Sequence, residues 1–406
     1  MKLSTDDLPM MFGDAHVALA ERLRAVAPKL EAVEHPEGIG SPDGSLARLA
    51  GDEAARDRAA VIALADAGLF ELVVGKVDAR SLCLAREMLG YVSARADSIL
   101  AVQGLGTHPI SLAGSAEQRA QLPAYARGAA VAAFALTEPE AGSDVAAIQT
   151  RAAPCPEGYR LDGDKLFISN LGIADHAVVF AKIDDPVEPG STSRGPGVAT
   201  RGSGGLSAFW VPLDTPGVRV TIQTATAPHP IGALELRGAI VPVAARIGDP
   251  GSGMKLALQT LDAFRVSVGA AAVGMARRAF DEALTFVCER KQFGKPLVEQ
   301  QLVQGHLADM QVDLDAARLL VLRAAYLKDT TGGKITMEVS IAKLGATEAA
   351  SRVIDRAVQL FGGRGVMQGS IVEHLYRAIR PLRIYEGTSE IQRTIIGRAL
   401  AATRGQ

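Results

Sequence analysis

The sequence has little cysteine, few aromatic residues and no excess of either charge sign. Its three cysteines, Cys83, Cys155 and Cys288, are odd in number and far apart, which excludes a disulfide framework or a zinc knuckle. Aromatic residues make up 4%, so stacking platforms for single-stranded nucleic acid are scarce. With 43 Lys and Arg against 45 Asp and Glu, the chain lacks the basic excess of nucleic-acid binders and polybasic membrane anchors.

Long hydrophobic runs are also missing. The residues Met1 to Asp7 contain no apolar core of a signal peptide. The apolar stretch Ser267–Ala276 ends at Arg277 and Arg278 and is too short to cross a bilayer. Together with the cysteine usage, these features lead us to expect a cytoplasmic protein.

Several motifs of common enzyme classes are absent from the sequence. No G-x-G-x-x-G follows a strand pattern, and there is no Walker loop, H-E-x-x-H or G-x-S-x-G. The seven histidines are scattered, and a lone one such as His306 is more often structural than metal-binding. We expect no metal site and no hydrolase triad.

What the chain does have is 406 residues, 48% of them hydrophobic, enough for two or three domains with a large core. Residues 1–131 show helical periodicity, as in Ala59–Phe70, and Glu117–Tyr125 predicts a short helix. Residues 246–406 return to long helices, for example over Leu307 to Val321, where apolar residues recur every three or four positions.

Between them, residues 132–245 have the pattern of a β-domain. Tyr159–Ser169 alternates around Asp162-Gly163, which predicts a hairpin turn at that dipeptide. Further strands are predicted at His176–Ile183, Leu206–Leu213 and Gly217–Ile222. The Gly-, Pro- and Ser-rich segment 184–205 is expected to be an excursion between strands. The fold class is therefore α+β, mainly α, without the strand–helix alternation of a doubly wound fold.

Two segments of the middle zone join strand residues to polar turns. Phe134–Ile148 (FALTEPEAGSDVAAI) runs from an apolar strand into a turn whose amides and hydroxyls suit an anion or a heteroaromatic edge. In Gly163–Asp175, Phe167 and Ser169 share one face of a strand and would suit a flat ring. The alternatives are a capped turn and an ordinary half-buried strand.

Two further segments lie in the C-terminal zone. Glu289–Gln301 places Arg290 and Phe293 where a helix would end, which indicates either a phosphate clamp or the cations usual at a helix C-terminus. In Gln359–Arg393, a Gly362-Gly363 break lets the backbone approach a ligand closely.

Glu386 is the candidate base of this last segment. It follows Ile384-Tyr385 and precedes Gly387-Thr388. A carboxylate among apolar neighbours beside a glycine is a candidate for a raised pKa and for base work. The alternative is an N-cap or a solvated glutamate.

In this order and spacing, the four segments resemble the acyl-CoA dehydrogenase family of flavoproteins, from about residue 60 to about residue 400. The resemblance implies an N-terminal helical domain (1–131), a middle β-sandwich or barrel-like domain (132–245) and a C-terminal four-helix bundle (246–406). FAD would lie between them. The implied FAD-binding residues are Phe134, Leu136, Thr137, Gly142, Ser143, Phe167, Ser169, Arg290, Phe293, Gln301, Gln359, Gly363, Thr388 and Glu390. The implied substrate contacts are Ser143, Asp262, Arg265 and Gly387.

The resemblance also implies a reaction. Glu386 would be the catalytic base, removing the α-proton of an acyl thioester while the β-hydride passes to flavin N5, and giving a trans-2-enoyl thioester. Electron-transfer flavoprotein or a similar acceptor would take the electrons. Arg290, Phe293 and Gln301 would reach the FAD of a neighbouring subunit, which implies a homodimer or a dimer of dimers.

Some alternatives stay open beside this expectation. The same fold serves enzymes acting on carrier-protein-bound acyl groups, oxidases that use oxygen, and non-dehydrogenating flavoproteins that bind DNA. The net charge of −2 and the glutamate at position 386 speak against the last class.

The sequence departs from the family pattern in two places. Phe167 stands where tryptophan is usual, and Gly369, His374 and Arg377-Ala378 replace charged residues of a local ion network. Arg194 and Arg201 of the 184–205 segment would reach a phosphate or lie in a solvated loop.

Overall fold

The computed structural model describes residues 3–34, 53–183, 205–227, 229–333 and 335–402. The predicted excursion at 184–205, with Arg194 and Arg201, lies outside these residues except for Gly205.

Helices precede the sheet and follow it, as the sequence predicts. The first group comprises α1 (Asp14–Glu34), α2 (Glu53–Asp66), α3 (Ala79–Val92), α4 (Ala94–Ala113), α5 (Ala116–Arg119) and α6 (Leu122–Ala126). The second comprises α7 (Gly253–Glu289), α8 (Gln301–Thr331), α9 (Thr336–Phe361), α10 (Ile371–Ile379) and α11 (Ser389–Ala402).

Two of the predicted helices have other bounds in the structure. The helix predicted at Ala59–Phe70 ends at Asp66, because Gly68 takes a left-handed φ of 65°, and Leu69–Leu72 follows as a 3-10 turn. The helix predicted at Glu117–Tyr125 is two short helices, α5 and α6.

The middle zone forms one mixed sheet, buried on both faces by apolar side chains. Its strands are β1 (Ala132–Ala135), β2 (Arg151–Cys155), β3 (Gly158–Ser169), β4 (His176–Ile183), β5 (Leu206–Pro212), β6 (Val218–Ile222), β7 (Ile231–Val241) and β8 (Arg246–Ile247). The strand order is β6-β7-β3-β2-β4-β5-β8, and β1 pairs in parallel with β4. Because β8 pairs with β5, the sheet continues past the predicted bound at residue 245, and the three domain bounds stay a prediction.

The predicted hairpin turn at Asp162-Gly163 is wrong. β3 runs unbroken through that dipeptide, with a register shift against β7 between Leu161 and Asp162. A Cβ at Gly163 would lie 2.5 Å from the Thr150 hydroxyl, so glycine permits a close approach of β2 to β3 here. The turn lies instead between β2 and β3, where Cys155 pairs with Gly158.

Helix α7 is the central element of the C-terminal zone and packs against α3, α8 and α9. Its apolar residues Val273, Phe280 and Val287 are buried, whereas Leu284 is exposed. By length and composition it is the helix of the described residues that would suffice to cross a membrane, but 72% of its most apolar window is buried inside the protein. It is therefore the core helix of the bundle.

Candidate active site

A cavity of about 330 Å³ opens where β1, β3, α7 and the loop before α11 meet. It brings together residues from three of the four sequence segments, although they are distant in the chain. The predicted residues that line it are Phe134, Leu136, Thr137, Gly142, Ser143, Phe167, Ser169, Arg265, Glu386 and Gly387. The site therefore depends on all the elements that meet there.

One wall follows from the way β1 ends. Buried Lys165 of β3 donates to the Glu138 carboxylate at 2.7 Å and to the carbonyl oxygens of Phe180 and Leu136 at 2.6 and 3.3 Å. The Leu166 amide donates to the Thr137 carbonyl at 2.9 Å. These bonds fix the turn after β1 against β3, so that Thr137 and Ser143 present hydroxyl groups to the cavity.

The opposite wall is the end of β3. Phe167 has a φ of 59° and is 62% exposed, although it is a large apolar residue that lines the cavity. The Ser169 hydroxyl lies 3.4 Å from Nε2 of His229, a residue that the sequence did not single out. An exposed aromatic face beside hydroxyl groups fits the flat ring system of FAD. The space beside Gly142 is open, since a Cβ there would meet nothing within 4 Å.

Glu386 lies between a 3-10 turn (Arg380–Arg383) and α11. It has a left-handed φ of 52°, and its Oε2 is buried without a hydrogen-bond partner among the described residues. Burial raises the pKa of the Glu386 carboxyl group, while the cations of Arg86, Arg265 and Lys343 oppose that rise. The alternative of an N-cap or a solvated glutamate does not describe this side chain.

Arg86 and Asp97 form a buried ion pair in the cavity wall that sequence reasoning missed. Two bonds of 2.9 and 2.8 Å join the guanidinium to the Asp97 carboxylate, and a third of 2.9 Å reaches the Ser267 hydroxyl. Burial raises the pKa of the Tyr385 phenol, and the cation of Arg86 opposes that rise. The available signal was opposite charges at apolar positions of two consecutive helices.

Lys343 of α9 was also missed. Its Nζ donates to the Gly387 carbonyl at 2.8 Å, and burial lowers the pKa of this lysine to about 8. It shares an apolar helix stripe with Val339, Ala342 and Ala346, all buried, and this pattern was the signal in the sequence.

Among the predicted substrate contacts, Arg265 and Asp262 are neighbours on α7. The Arg265 Nε donates to the Glu386 carbonyl at 3.1 Å, so this arginine holds the backbone of the candidate base. Asp262 is not a lining residue, and its Oδ2 accepts from Lys328 Nζ at 3.2 Å.

A second group of predicted FAD residues lies outside the cavity. Arg290, Phe293, Gln301, Gln359 and Gly363 are all exposed, at the end of α7, the start of α8 and the end of α9.

Stacking of Phe286 on Phe361, with ring centroids 4.4 Å apart, holds the ends of α7 and α9 together. Phe293 is 94% exposed. An exposed cation and an exposed aromatic ring at this end of the bundle are available to a neighbouring molecule.

Thr388 and Glu390 begin α11 and do not line the cavity. The Thr388 hydroxyl accepts from the Ile391 amide at 3.3 Å, which is a helix-capping contact. Glu390 is exposed in the first turn. The structure thus places both residues beside the loop of Glu386, and their role toward FAD stays a prediction.

The residues that depart from the family pattern have local partners. Arg377 pairs with Glu373 at 2.6 Å and donates to the Thr226 carbonyl at 2.8 Å. His374 lies 3.5 Å from the Glu34 carboxylate. These contacts hold α10 in this chain.

Comparison with known proteins identifies the family of both later zones. The acyl-CoA dehydrogenase middle-domain model matches residues 133–238, and the C-terminal-domain model matches residues 251–401. A probable acyl-CoA dehydrogenase of Bacillus subtilis, YngJ, is 38% identical over 335 residues, covering 80% of this chain and 83% of that protein.

Solved structures agree with this assignment. Butyryl-CoA dehydrogenase from Megasphaera elsdenii superimposes with a TM-score of 0.82 at 30% identity, covering 96% of this chain and 99% of that one. A glutaryl-CoA dehydrogenase from Mycobacterium smegmatis in complex with FADH2 has a TM-score of 0.82 at 25% identity, covering 98% of both chains.

Proposed function

Since this chain belongs to the acyl-CoA dehydrogenase family, whose members are oxidoreductases acting on acyl-CoA with FAD, we propose that Glu386 is its catalytic base. The proposed reaction removes two hydrogens across the α,β-bond of an acyl-CoA and yields a trans-2-enoyl-CoA. The α-hydrogen leaves as a proton to Glu386. The β-hydrogen leaves as a hydride.

The single observation that carries this proposal is the state of the Glu386 carboxyl group. Its Oε2 lies buried at the cavity without a hydrogen-bond partner among the described residues. A carboxylate that is neither hydrated nor fully paired keeps a high proton affinity. It is therefore suited to accept a proton from a bound carbon acid.

The cavity residues supply binding and orientation. FAD, when bound, supplies the acceptor of the β-hydride. The hydroxyl groups of Thr137, Ser143 and Ser169 and the ring of Phe167 are the groups of this chain that would hold it. Phe167 would pack against that ring, without the indole N–H that a tryptophan would donate.

Proton removal needs a stabilised enolate, because the α-hydrogen of a thioester is a weak acid. Hydrogen-bond donors aimed at the thioester oxygen in a site without bulk water provide that stabilisation. The Arg265 bond to the Glu386 carbonyl fixes the backbone from which the carboxylate extends.

An anaerobic titration of the FAD-loaded protein with a panel of acyl-CoA thioesters tests the reaction and the substrate class. Loss of the visible flavin absorbance with one member is the expected result. If no acyl-CoA bleaches the flavin but an acyl group on a carrier protein does, the substrate is an acyl carrier protein and not an acyl-CoA.

Glu386→Gln tests the base. The variant is expected to keep FAD and ligand binding and to lose most substrate-dependent bleaching, because the amide cannot accept the proton. Glu157→Gln, at an exposed turn residue, is the matched control and should bleach as wild type does. Bleaching by Glu386→Gln at the wild-type rate would place the base elsewhere.

Further parts of the proposal concern partners. We propose that the electrons pass to electron-transfer flavoprotein or a similar acceptor, and that the enzyme works in the cytoplasm as a homodimer or a dimer of dimers. The exposed Arg290 and Phe293 support the proposed oligomer, because they form no part of the cavity of their own chain.

A further inference from the structure

The loop that carries Glu386 accepts side-chain hydrogen bonds at two successive carbonyl groups. Arg265 Nε donates to the Glu386 carbonyl at 3.1 Å, and Lys343 Nζ donates to the Gly387 carbonyl at 2.8 Å. Gln392 Nε2 reaches the Gly387 carbonyl at 3.0 Å and the Glu386 carbonyl at 3.4 Å. Donors from α7, α9 and α11 therefore converge on one dipeptide.

This dipeptide has a backbone conformation that needs support. Glu386 has a φ of 52° and Gly387 a φ of 90°. A left-handed glutamate costs free energy relative to the ordinary regions and persists when its surroundings hold it there. A Cβ at Gly387 would lie 2.5 Å from Gln392 Nε2, so the fit between loop and donors leaves no room for a side chain.

Lys343 differs from the other donors in its setting. It is 0% exposed on a stripe of apolar residues of α9, a costly place for an ammonium group. The charged groups around it are Glu386, Arg265, Glu348 and Glu390. Glu348 hydrogen bonds to Arg383 and Ser389, and Glu390 is exposed to solvent. Glu386 differs from both in having a buried carboxylate oxygen, Oε2, with no hydrogen bond among the described residues.

We infer that Lys343 is a positioning residue for the base: it holds the Gly387 carbonyl so that Glu386 keeps its left-handed conformation. The same bond places an ammonium group at the residue next to Glu386, so Lys343 also brings a positive charge to the base. This inference rests on the proposed function of Glu386. It assigns a task to a residue that does not itself line the cavity.

The charge part of the inference has a definite sign. Arg86, Arg265 and Lys343 favour the ionised form of Glu386, whereas burial and the Asp97 carboxylate favour the protonated form. Removing the Lys343 ammonium group removes one of the three cations that favour the ionised form of Glu386. The pKa of the Glu386 carboxyl group therefore rises further in such a variant.

The experiment compares Lys343→Met, Lys343→Arg and Gln392→Leu in the FAD-loaded enzyme. The readout is the infrared band of the protonated Glu386 carboxyl group during a pH titration, identified by its loss in Glu386→Gln. This readout needs no substrate, so it remains informative if no acyl-CoA reduces the flavin. Thr347→Val, one turn along α9 and buried, is the matched control.

In Lys343→Met the midpoint of the band should shift to higher pH, and the rate of flavin reduction should fall by about 10²-fold, as misplaced catalytic groups do. Lys343→Arg, which keeps the charge and a donor, should retain most of the rate and the wild-type midpoint. Gln392→Leu removes a neutral donor to the same carbonyl, so it should slow reduction without moving the midpoint.

An unshifted midpoint in Lys343→Met, with a rate within about twofold of wild type, would overturn the inference. So would equal shifts in Lys343→Met and Gln392→Leu, because the charge would then have no separate effect. If Lys343→Met does not fold, Lys343→Gln, which removes the charge and keeps an amide donor, must show the same upward shift.

Discussion

At the scale of single residues, the chemistry depends on a carboxyl group held partly out of water. The Glu386 side chain faces the cavity, with the ion pair of Arg86 and Asp97 behind it. Burial raises the pKa of its carboxyl group above the ordinary 4.5, and three cations prevent a larger rise. A higher pKa makes the Glu386 carboxylate a stronger base but lowers the fraction of enzyme molecules in which it is ionised, and the site balances these two effects.

The pH dependence of flavin reduction follows from this balance. The base must be ionised to accept a proton, so the rate should rise with pH through the raised pKa of Glu386 and become constant above it. Below that pKa the rate should fall about tenfold per pH unit. The measurement is single-turnover flavin reduction at saturating acyl-CoA across a range of pH. A rate that is independent of pH down to about pH 4 would contradict the expected fall at low pH.

The residues that the sequence could predict are those whose types carry the chemistry themselves. Glu386, Phe167 and Ser143 belong to segments that combine aromatic, hydroxyl and charged residues with glycine turns, whereas Arg265 is predicted from the resemblance alone. All four line the cavity, and their roles stay a prediction. Arg86 and Lys343 were missed because their significance is purely spatial: each is a charge on an apolar helix face, brought to Glu386 by tertiary packing alone.

At the scale of elements, the site depends on how closely α3 approaches α7. A Cβ at Gly274 would lie 2.0 Å from the Glu87 carbonyl oxygen, and one at Gly90 would lie 2.2 Å from the Ala271 carbonyl oxygen. Both contacts are with backbone atoms, so an added methyl group could be accommodated only by a shift of the helices themselves. This contact fixes Arg86 on α3 relative to Arg265 on α7.

Gly274→Ala tests this contact. The added methyl group should push the two helices apart and lower the free energy of unfolding by about 1–3 kcal/mol. Gly397→Ala is the control, because its Cβ would meet nothing within 4 Å on α11 and alanine favours a helix by about 0.5–1 kcal/mol. Denaturant unfolding of the two variants should therefore give changes of opposite sign, and equal changes would exclude a tight helix crossing.

Element types were predictable where periodicity was long, and turns were not. Strand β4 was predicted with its observed bounds, whereas the hairpin at Asp162-Gly163 was wrong. The Asp-Gly pair has the composition of a turn, but its glycine serves the close approach to Thr150, the residue just before the neighbouring strand β2. Local sequence cannot distinguish these two uses of glycine.

At the scale of the whole molecule, most of the predicted FAD residues fall into two groups, and Thr388 and Glu390 belong to neither. One group lines the cavity and the other is exposed at the joined ends of α7 and α9. We propose that the exposed group of one chain reaches the cofactor in the cavity of a second copy. This is the physical basis for proposing a dimer.

Arg290→Ala tests that division. Loss of the guanidinium should weaken FAD retention on gel filtration, because a cation at the phosphates contributes a strong charge-assisted hydrogen bond. Arg219→Ala, at an exposed position of β6, is the control for removal of a surface charge. Unchanged retention in Arg290→Ala would contradict a contact with the cofactor of a neighbouring subunit.

The measurement that tests the central claim most directly is exchange of the α-hydrogen in D2O. The probe is an acyl-CoA analogue in which sulfur replaces the β-carbon, so that the proton can leave but no β-hydride can follow. Mass spectrometry should show α-deuterium incorporation with the FAD-loaded wild-type enzyme and none above background with Glu386→Gln. Incorporation at the wild-type rate by Glu386→Gln would contradict the assignment of Glu386 as the base.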